Sequence, residues 1–458
     1  MLADVTAVLS TSSTITAVAE AFSVPENSRV SIVAQAVPTA DQLAWSAATD
    51  PQSSDPQSDD PQRSRAVTVL DTLATLSRSQ LEAWANDPSA VSDLLAAPPA
   101  ANQVADWWAT TDAAARQRLL TAAPRLVGNL EGMPYEVRDV ANRDVLAASI
   151  ARVTAQLADG SVGRAATEQL QAQLHMLQQV RDAVATGPSG LPRTLITLDT
   201  ADGGRAVIAV GDLATADFVS YLVPGMFYTV DSEVGSWAGA ADQLAVDQAA
   251  WLERLAPAQH SAGSAQTVAT VAWIGYRTPT VVNVASLDLA REGSDALTAS
   301  LRGLEAVRSG GTDRPYLSIL AHSYGATAAL LALQENDVTV DALAMVGSPG
   351  SPAENVGQLR VRDGNVWVAD AALDPVASTG VFGSHPLSAA YGAHHFGVDG
   401  AVDPFTRATR APARGHVDDI TPGSESFRTK ARIAIGPGRL VLTADGTVAA
   451  EPRALRAG

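Results

Sequence analysis

Ser323 stands in "SILAHSYGATAALLAL", Ser318–Leu333, where an apolar, strand-like run meets an alanine-rich, helix-like one. A serine at such a junction is displayed for attack if the chain turns sharply there, and that turn demands small residues two before and two after it. Ala321 and Gly325 meet the demand, with Ala321 where glycine is more usual. A serine hydroxyl is a weak nucleophile near neutral pH, so it needs a base to take its proton and an acid to orient that base. Where a strand-turn-helix carries the nucleophile, the expected chain order is serine, acid, histidine.

Asp374 in "ALDPV" is the expected acid, with Pro375 ending a strand and holding the carboxylate at its carboxyl edge. Asp370 competes but falls inside the apolar run "VWVADAALDPV". Four histidines follow: His385, His394, His395 and His416. His416, in the polar loop "ARGHVDDITPGSESF" ahead of the last helical pattern, is the expected base, with His395 the alternative to test against it. The developing oxyanion needs backbone N–H donors. Tyr324, directly after the serine, offers one, and Met226 in "VPGMF" offers the other, with Gly225 letting the backbone approach the substrate. His322 is expected to point away from Ser323 and to pack or hydrogen-bond locally. The adjacent His394 and His395 with Asp399 are read as structural rather than metal-binding, and no metal or cofactor is expected.

Elements that could hold these groups follow from the pattern of the chain. After the breaker cluster "TGPSGLP", Thr186–Pro192, two strands surround an Asp-Gly-Gly turn, followed by apolar runs at 218–226, 268–276, 316–325, 342–350 and 366–376. Helical patterns lie between them, as in "WAGAADQLAVDQAAWLERL" and "SDALTASLRGLEAVRSG". Buried strands alternating with helices predict an α/β fold, a mostly parallel sheet covered on both faces, with ligands bound at the carboxyl ends of its strands. Before the breakers, Arg65 to about Ala185 reads as helical. In "TEQLQAQLHMLQQVRDAV" the stripe Leu170, Leu174, Leu177 and Val184 is expected to be a packing face, with no chemistry for His175 or Met176. The expected division is 1–190 helical, with a solvated loop at "DPQSSDPQSDDPQ" (Asp50–Gln62), then 191–436 catalytic, then a tail from 437 to 458 with a hairpin around Asp445-Gly446.

Composition limits the partners. Acidic residues outnumber basic ones 49 to 31, a net charge of -18, which argues against nucleic acid or anionic lipid. The absence of cysteine removes disulfides, thiolate metal sites and a cysteine nucleophile. "MLADVTAVLSTSSTITAVAEAFSV" lacks the basic start and solid apolar stretch of a signal peptide, and no run is long enough to span a membrane. A cytoplasmic location is therefore expected.

Ser323, Asp374 and His416 together resemble the α/β-hydrolase superfamily. More narrowly, "VADWWATTDAAARQRLLTAAPRLVGNLEGMPYEVRDVANRDVL", "YLVPGM", "VAWIGYRTP", "AHSYGA", "VGSPG", "LDPV" and "GHVDDITPGSESFRTKARIA" resemble a bacterial α/β-hydrolase family catalogued as a domain of unknown function. The resemblance implies a serine hydrolase fold preceded by an α-helical region. It supplies no defined substrate and no role for Trp107, Trp108, Pro124, Gly128 and Asn129, which are read as packing residues. The expected reaction is cofactor-independent cleavage of a small-molecule carboxylic ester through an acyl-enzyme, with the N-terminal helices as a cap over the site. An amidase, peptidase or acyltransferase would use the same residues. A non-catalytic binding protein on this fold would show a lost triad position, and none is lost.

Overall fold

The computed structural model describes residues 61–436 except 88, 202, 257–265, 281, 310, 312–313, 372–373, 375–379, 404, 414 and 417–420, and in addition residues 441 and 443. Residues 1–60, with most of the loop expected at Asp50–Gln62, and the hairpin expected around Asp445-Gly446 lie outside the described residues. Helices come first among them: α1 (Pro61–Thr75), α2 (Arg78–Ala85), α3 (Ala90–Ala96), α4 (Ala101–Thr110), α5 (Ala113–Ala122), α6 (Pro124–Asn129), α7 (Tyr135–Asp159) and α8 (Arg164–Ala183). Their starts are written in the sequence. Ser77 forms a capping box with Gln80, Asp112 accepts the N–H groups of Ala114 and Ala115, and Pro124 opens α6 where no N–H is needed.

The sheet follows, with β1 (Arg193–Asp199), β2 (Arg205–Val210), β3 (Phe218–Val223), α9 (Val230–Leu255), β4 (Val268–Ile274), α10 (Asp288–Arg308), β5 (Tyr316–His322), α11 (Tyr324–Glu335), β6 (Ala342–Val346), β7 (Val366–Ala369), the two-residue β8 (His394–His395) and α12 (Glu425–Ile433). The order across the sheet is β1-β2-β4-β3-β5-β6-β7-β8. β2 runs antiparallel to both neighbours, and every pair from β4 through β8 is parallel. β4 is buried along its whole length and β3 and β5 nearly so, which is why they read as unbroken apolar runs. One face packs on α7, α8, α9 and α12, and the other on α10 and α11.

Two features differ from the sequence reading. β8 was not expected, because two residues carry no periodicity. α1 starts at Pro61, inside the stretch expected to be a loop. On α8 the expected stripe is the packing face: Leu177 and Val184 are buried and Leu170 and Leu174 are half-buried against the same core, with Met176, Val180 and Ala183 buried beside them.

The helical region contains two kinds of packing. Residues of α1 to α6, with Ala141 of α7, have a core of their own, in which Trp107 and Trp108 are buried with ring centroids 5.9 Å apart. The helices α7 and α8 instead share the core of the sheet, so one apolar core spans the two sides of the breaker cluster at 186–192, whose own residues are exposed or half-buried. Side chains of α6 and α7 also close the outer edge of β1, which has no neighbouring strand among the described residues. Asn129 Nδ2 donates to the Leu198 carbonyl at 3.1 Å and its Oδ1 accepts the Leu198 N–H at 3.0 Å. Asp139 accepts the Leu195 N–H at 2.6 Å and Asn142 donates to the Leu195 carbonyl at 3.0 Å. An open strand edge is thereby satisfied without a ninth strand. Gly128 fits the same seam, since a Cβ there would fall 2.1 Å from Asn142 Oδ1.

Candidate active site

Parallel register aligns the carboxyl ends of the central strands. Val223 of β3 is level with Ala321 of β5, His322 with Val346 of β6, and Val346 with Ala369 of β7. The residues one step beyond these ends therefore converge on one edge of the sheet. Ser323 is the first of them. It links β5 to α11 with φ 54 and ψ -129, a conformation that costs a residue with a Cβ about 1–3 kcal/mol and persists only when its surroundings enforce it. Its N–H donates to the Val346 carbonyl at 2.9 Å, and its carbonyl accepts the Ala326 N–H at 2.9 Å. Gly325 has a steric cause: a Cβ there would lie 2.3 Å from the Pro224 carbonyl oxygen.

The loop after β3 presses on the serine from the other side. A Cβ at Gly225 would lie 2.5 Å from Ser323 Cβ and 3.1 Å from its Oγ, so glycine is what allows this approach. The Tyr276 hydroxyl holds the loop by donating to the Pro224 carbonyl at 2.8 Å. Phe227, two residues on, is another non-glycine residue at positive φ, 66°. Met226 follows Gly225 and is buried. Among the described residues, neither the Met226 N–H nor the Tyr324 N–H, at the first position of α11, donates to a protein acceptor. The Tyr324 side chain leaves the site and binds the start of α10, donating to the Ser286 carbonyl and accepting the Ala290 N–H at 3.0 Å.

Asp374 and His416 meet beside Gly347, next to the turn at Ser323. His416 Nδ1 lies 2.7 Å from Asp374 Oδ2, and both side chains are almost wholly buried. With its proton donated from Nδ1 to the carboxylate, a neutral ring presents Nε2 as its basic nitrogen. The pair is connected to the turn at Ser323 in two ways. His322 Nε2 donates to the His416 carbonyl at 2.7 Å. Gly347, directly after the Val346 that accepts the Ser323 N–H, packs on the pair itself, and a Cβ there would lie 2.8 Å from Asp374 Oδ2 and 2.9 Å from His416 Nδ1.

Residues 199–384 match a family model described as alpha/beta hydrolase. An uncharacterized protein of Mycobacterium bovis is 32% identical over 218 residues, which cover 46% of this chain and 78% of that protein. The chain belongs to the α/β-hydrolase family. Another member-like relative, an uncharacterized protein of Mycobacterium tuberculosis, is 28% identical over 393 residues, 77% of this chain, and the match spans only 58% of that relative's length. Among solved structures, a thermostable carboxylesterase cloned from a metagenomic library is aligned over 60% of this chain and 100% of its own, at 11% identity and a TM-score of 0.33.

Several expectations for this α/β-hydrolase need correction. β7 ends at Ala369, where its pairing with β6 stops ahead of Gly347 (φ 62), so Asp374 lies in the loop beyond the strand and Asp370 is the first residue after it. Pro375, expected to end the strand, lies outside the described residues. His322 acts over a long range instead of locally, reaching a residue 94 positions away. Its ring lies 4.7 Å from that of His416, and burial first, then the nearby His416, pushes its pKa down to about 3. His394 and His395 form β8 beside β7, with the His394 ring 4.8 Å from that of Trp367 and tilted by 35°, and no group of three or more potential metal ligands occurs among the described residues. His385 lies in a separate loop and is half-buried. Gly347 and Tyr276 were missed. Both lie in segments that carry the family resemblance, Gly347 in "VGSPG" and Tyr276 in "VAWIGYRTP", and for Gly347 a glycine directly after a buried strand was a further signal. The N-terminal helices pack beside the sheet on β1, α9 and α10. No described helix is long and apolar enough to cross a membrane.

Proposed function

We propose that the chain is a serine hydrolase that cleaves small-molecule carboxylic esters. The observation that carries the reading is the buried 2.7 Å contact between His416 Nδ1 and Asp374, attached through His322 to the turn that carries Ser323. In this reaction Ser323 Oγ attacks the acyl carbon while its proton passes to His416 Nε2, and the Asp374 carboxylate stabilises the imidazolium that forms. The carbonyl electrons move onto oxygen, where the Met226 and Tyr324 N–H groups receive the charge. As the tetrahedral intermediate collapses, the C–O bond to the alcohol breaks and His416 gives that oxygen its proton. Water, deprotonated by the same histidine, then releases the acid and restores Ser323. The group set is complete without a cofactor.

Amide cleavage and acyl transfer would use the same side chains and differ in the leaving group or the acceptor, so the substrate panel must separate them. The test is a fluorophosphonate label with peptide mapping, run beside p-nitrophenyl esters of graded acyl length and the matching anilides. The label is expected on Ser323, with ester turnover exceeding anilide turnover, and both labelling and turnover are expected to be absent from Ser323→Ala. Labelling or turnover that persists in Ser323→Ala refutes the assignment. His395→Ala is expected to retain turnover that His416→Ala loses.

A further inference from the structure

We propose that His322 is a positioning residue that sets the depth and orientation of the His416 ring relative to Ser323 through its Nε2–H bond to the His416 carbonyl. The inference rests on the serine-hydrolase reading above. A general base is useful only within a few tenths of an ångström of the proton it takes, and Asp374 holds the Nδ1 end of its ring. His416 lies in a turn, outside any helix or strand whose ladder would fix its backbone. The nucleophile, by contrast, is set rigidly by β5 and α11. A bond from the residue before the nucleophile to the backbone of the base therefore ties a loop-borne histidine, whose acid partner Asp374 also lies beyond the end of β7, to the rigid end of β5.

The choice of residue has a chemical cause. The acceptor is a carbonyl oxygen, so the 2.7 Å contact requires a proton on Nε2, and Nδ1 then carries none. Nδ1 is buried with no hydrogen-bond partner among the described residues. The side chain borders an apolar cavity whose walls include Leu222, Trp237, Ala240 and Phe427, and the Tyr228 ring stands edge-on at 6.2 Å. These surroundings keep the imidazole neutral. Neutrality matters because the rings of His322 and His416 are 4.7 Å apart, and His416 becomes positive during the reaction. A lysine or arginine donor could reach the same carbonyl but would oppose that charge. Other groups facing His322 are Lys430 of α12 and Asp374.

The test compares three variants in the full chain using p-nitrophenyl butyrate turnover, the rate of fluorophosphonate labelling and thermal unfolding. A glutamine amide nitrogen can take the place of Nε2, an asparagine is too short to reach, and phenylalanine fills the space without a donor. His322→Phe and His322→Asn are expected to lose about 10- to 100-fold in kcat and in labelling rate, the scale of a sub-ångström to one-ångström misplacement, with KM within about twofold. His322→Gln is expected to recover most of that loss, whatever its unfolding temperature. Wild-type kcat in folded His322→Phe, a glutamine variant as impaired as phenylalanine, or a loss carried by KM overturns the inference. Ser323→Ala separates the two readings. If it removes turnover while the His322 variants have no effect, only the positioning role fails, and if it retains turnover both readings fail.

Discussion

Gly347→Ala is the perturbation for which the structure gives the firmest expectation. At φ 62 an alanine is strained by about 1–2 kcal/mol relative to glycine. Its methyl group would also fall 2.8 Å from Asp374 Oδ2, 2.8 Å from His416 Cε1 and 2.9 Å from His416 Nδ1, where ordinary contacts begin near 3.4 Å. The acid and the base must both retreat by about half an ångström or more, and they cannot do so together without lengthening their own contact or moving the ring from Ser323. With about 100-fold in rate lost per ångström of misplacement, kcat for p-nitrophenyl butyrate is expected to fall roughly 10- to 100-fold with KM little changed. Gly160→Ala is the control. Its φ of 64° imposes the same backbone strain, but nothing lies within 4 Å of the new methyl. It should lower the unfolding temperature to a similar degree and leave kcat alone. A folded Gly347→Ala protein with kcat within about threefold of wild type would refute the argument that this pair is both tightly packed and essential to the reaction.

Gly225→Ala should act on the other side of the serine, because its Cβ would lie 2.5 Å from Ser323 Cβ. Displacement of the Met226 N–H predicts a kcat loss of about 100-fold or more at near-normal KM, measured by steady-state ester hydrolysis. Asn142→Ala removes the donor to the Leu195 and Gly128 carbonyls, so urea unfolding should show a loss of about 1–3 kcal/mol, with ester turnover unchanged at the distant edge of the sheet. For His322, the folded state takes up a proton only near pH 3, whereas the unfolded chain does so near 6.5. The unfolded state thus binds more protons between those values, and stability falls as pH is lowered through that window. The slope attributable to His322 approaches about 1.4 kcal/mol per pH unit and should be missing from the pH-dependent unfolding of His322→Gln.

Much of the architecture was legible because it is enforced locally or by period. The apolar runs of β3, β4 and β5 could only be strands covered on both faces, and the amphipathic stretches between them could only be their covering helices. The turn at Ser323 was legible too, since a residue forced to positive φ between strand and helix leaves its trace as Ala321 and Gly325. The strand ends were less clear. β7 stops at Ala369 although the apolar composition continues, because pairing with β6 ends there and composition does not record pairing.

By itself the sequence determined that a serine sits in a strained turn at the carboxyl edge of a parallel sheet, and that an acid and several histidines follow it. The sequence favoured His416 over His395 by its polar loop ahead of the last helix, but that it is His416 that meets Asp374 was decided only by the tertiary structure, since His385, His394, His395 and His416 are the same residue type in segments with no period to read. The same holds for His322, Gly347 and Asn142. Each owes its role to a contact across many residues of chain, with a carbonyl, a carboxylate or an open strand edge, and such contacts exist only once the layers have packed.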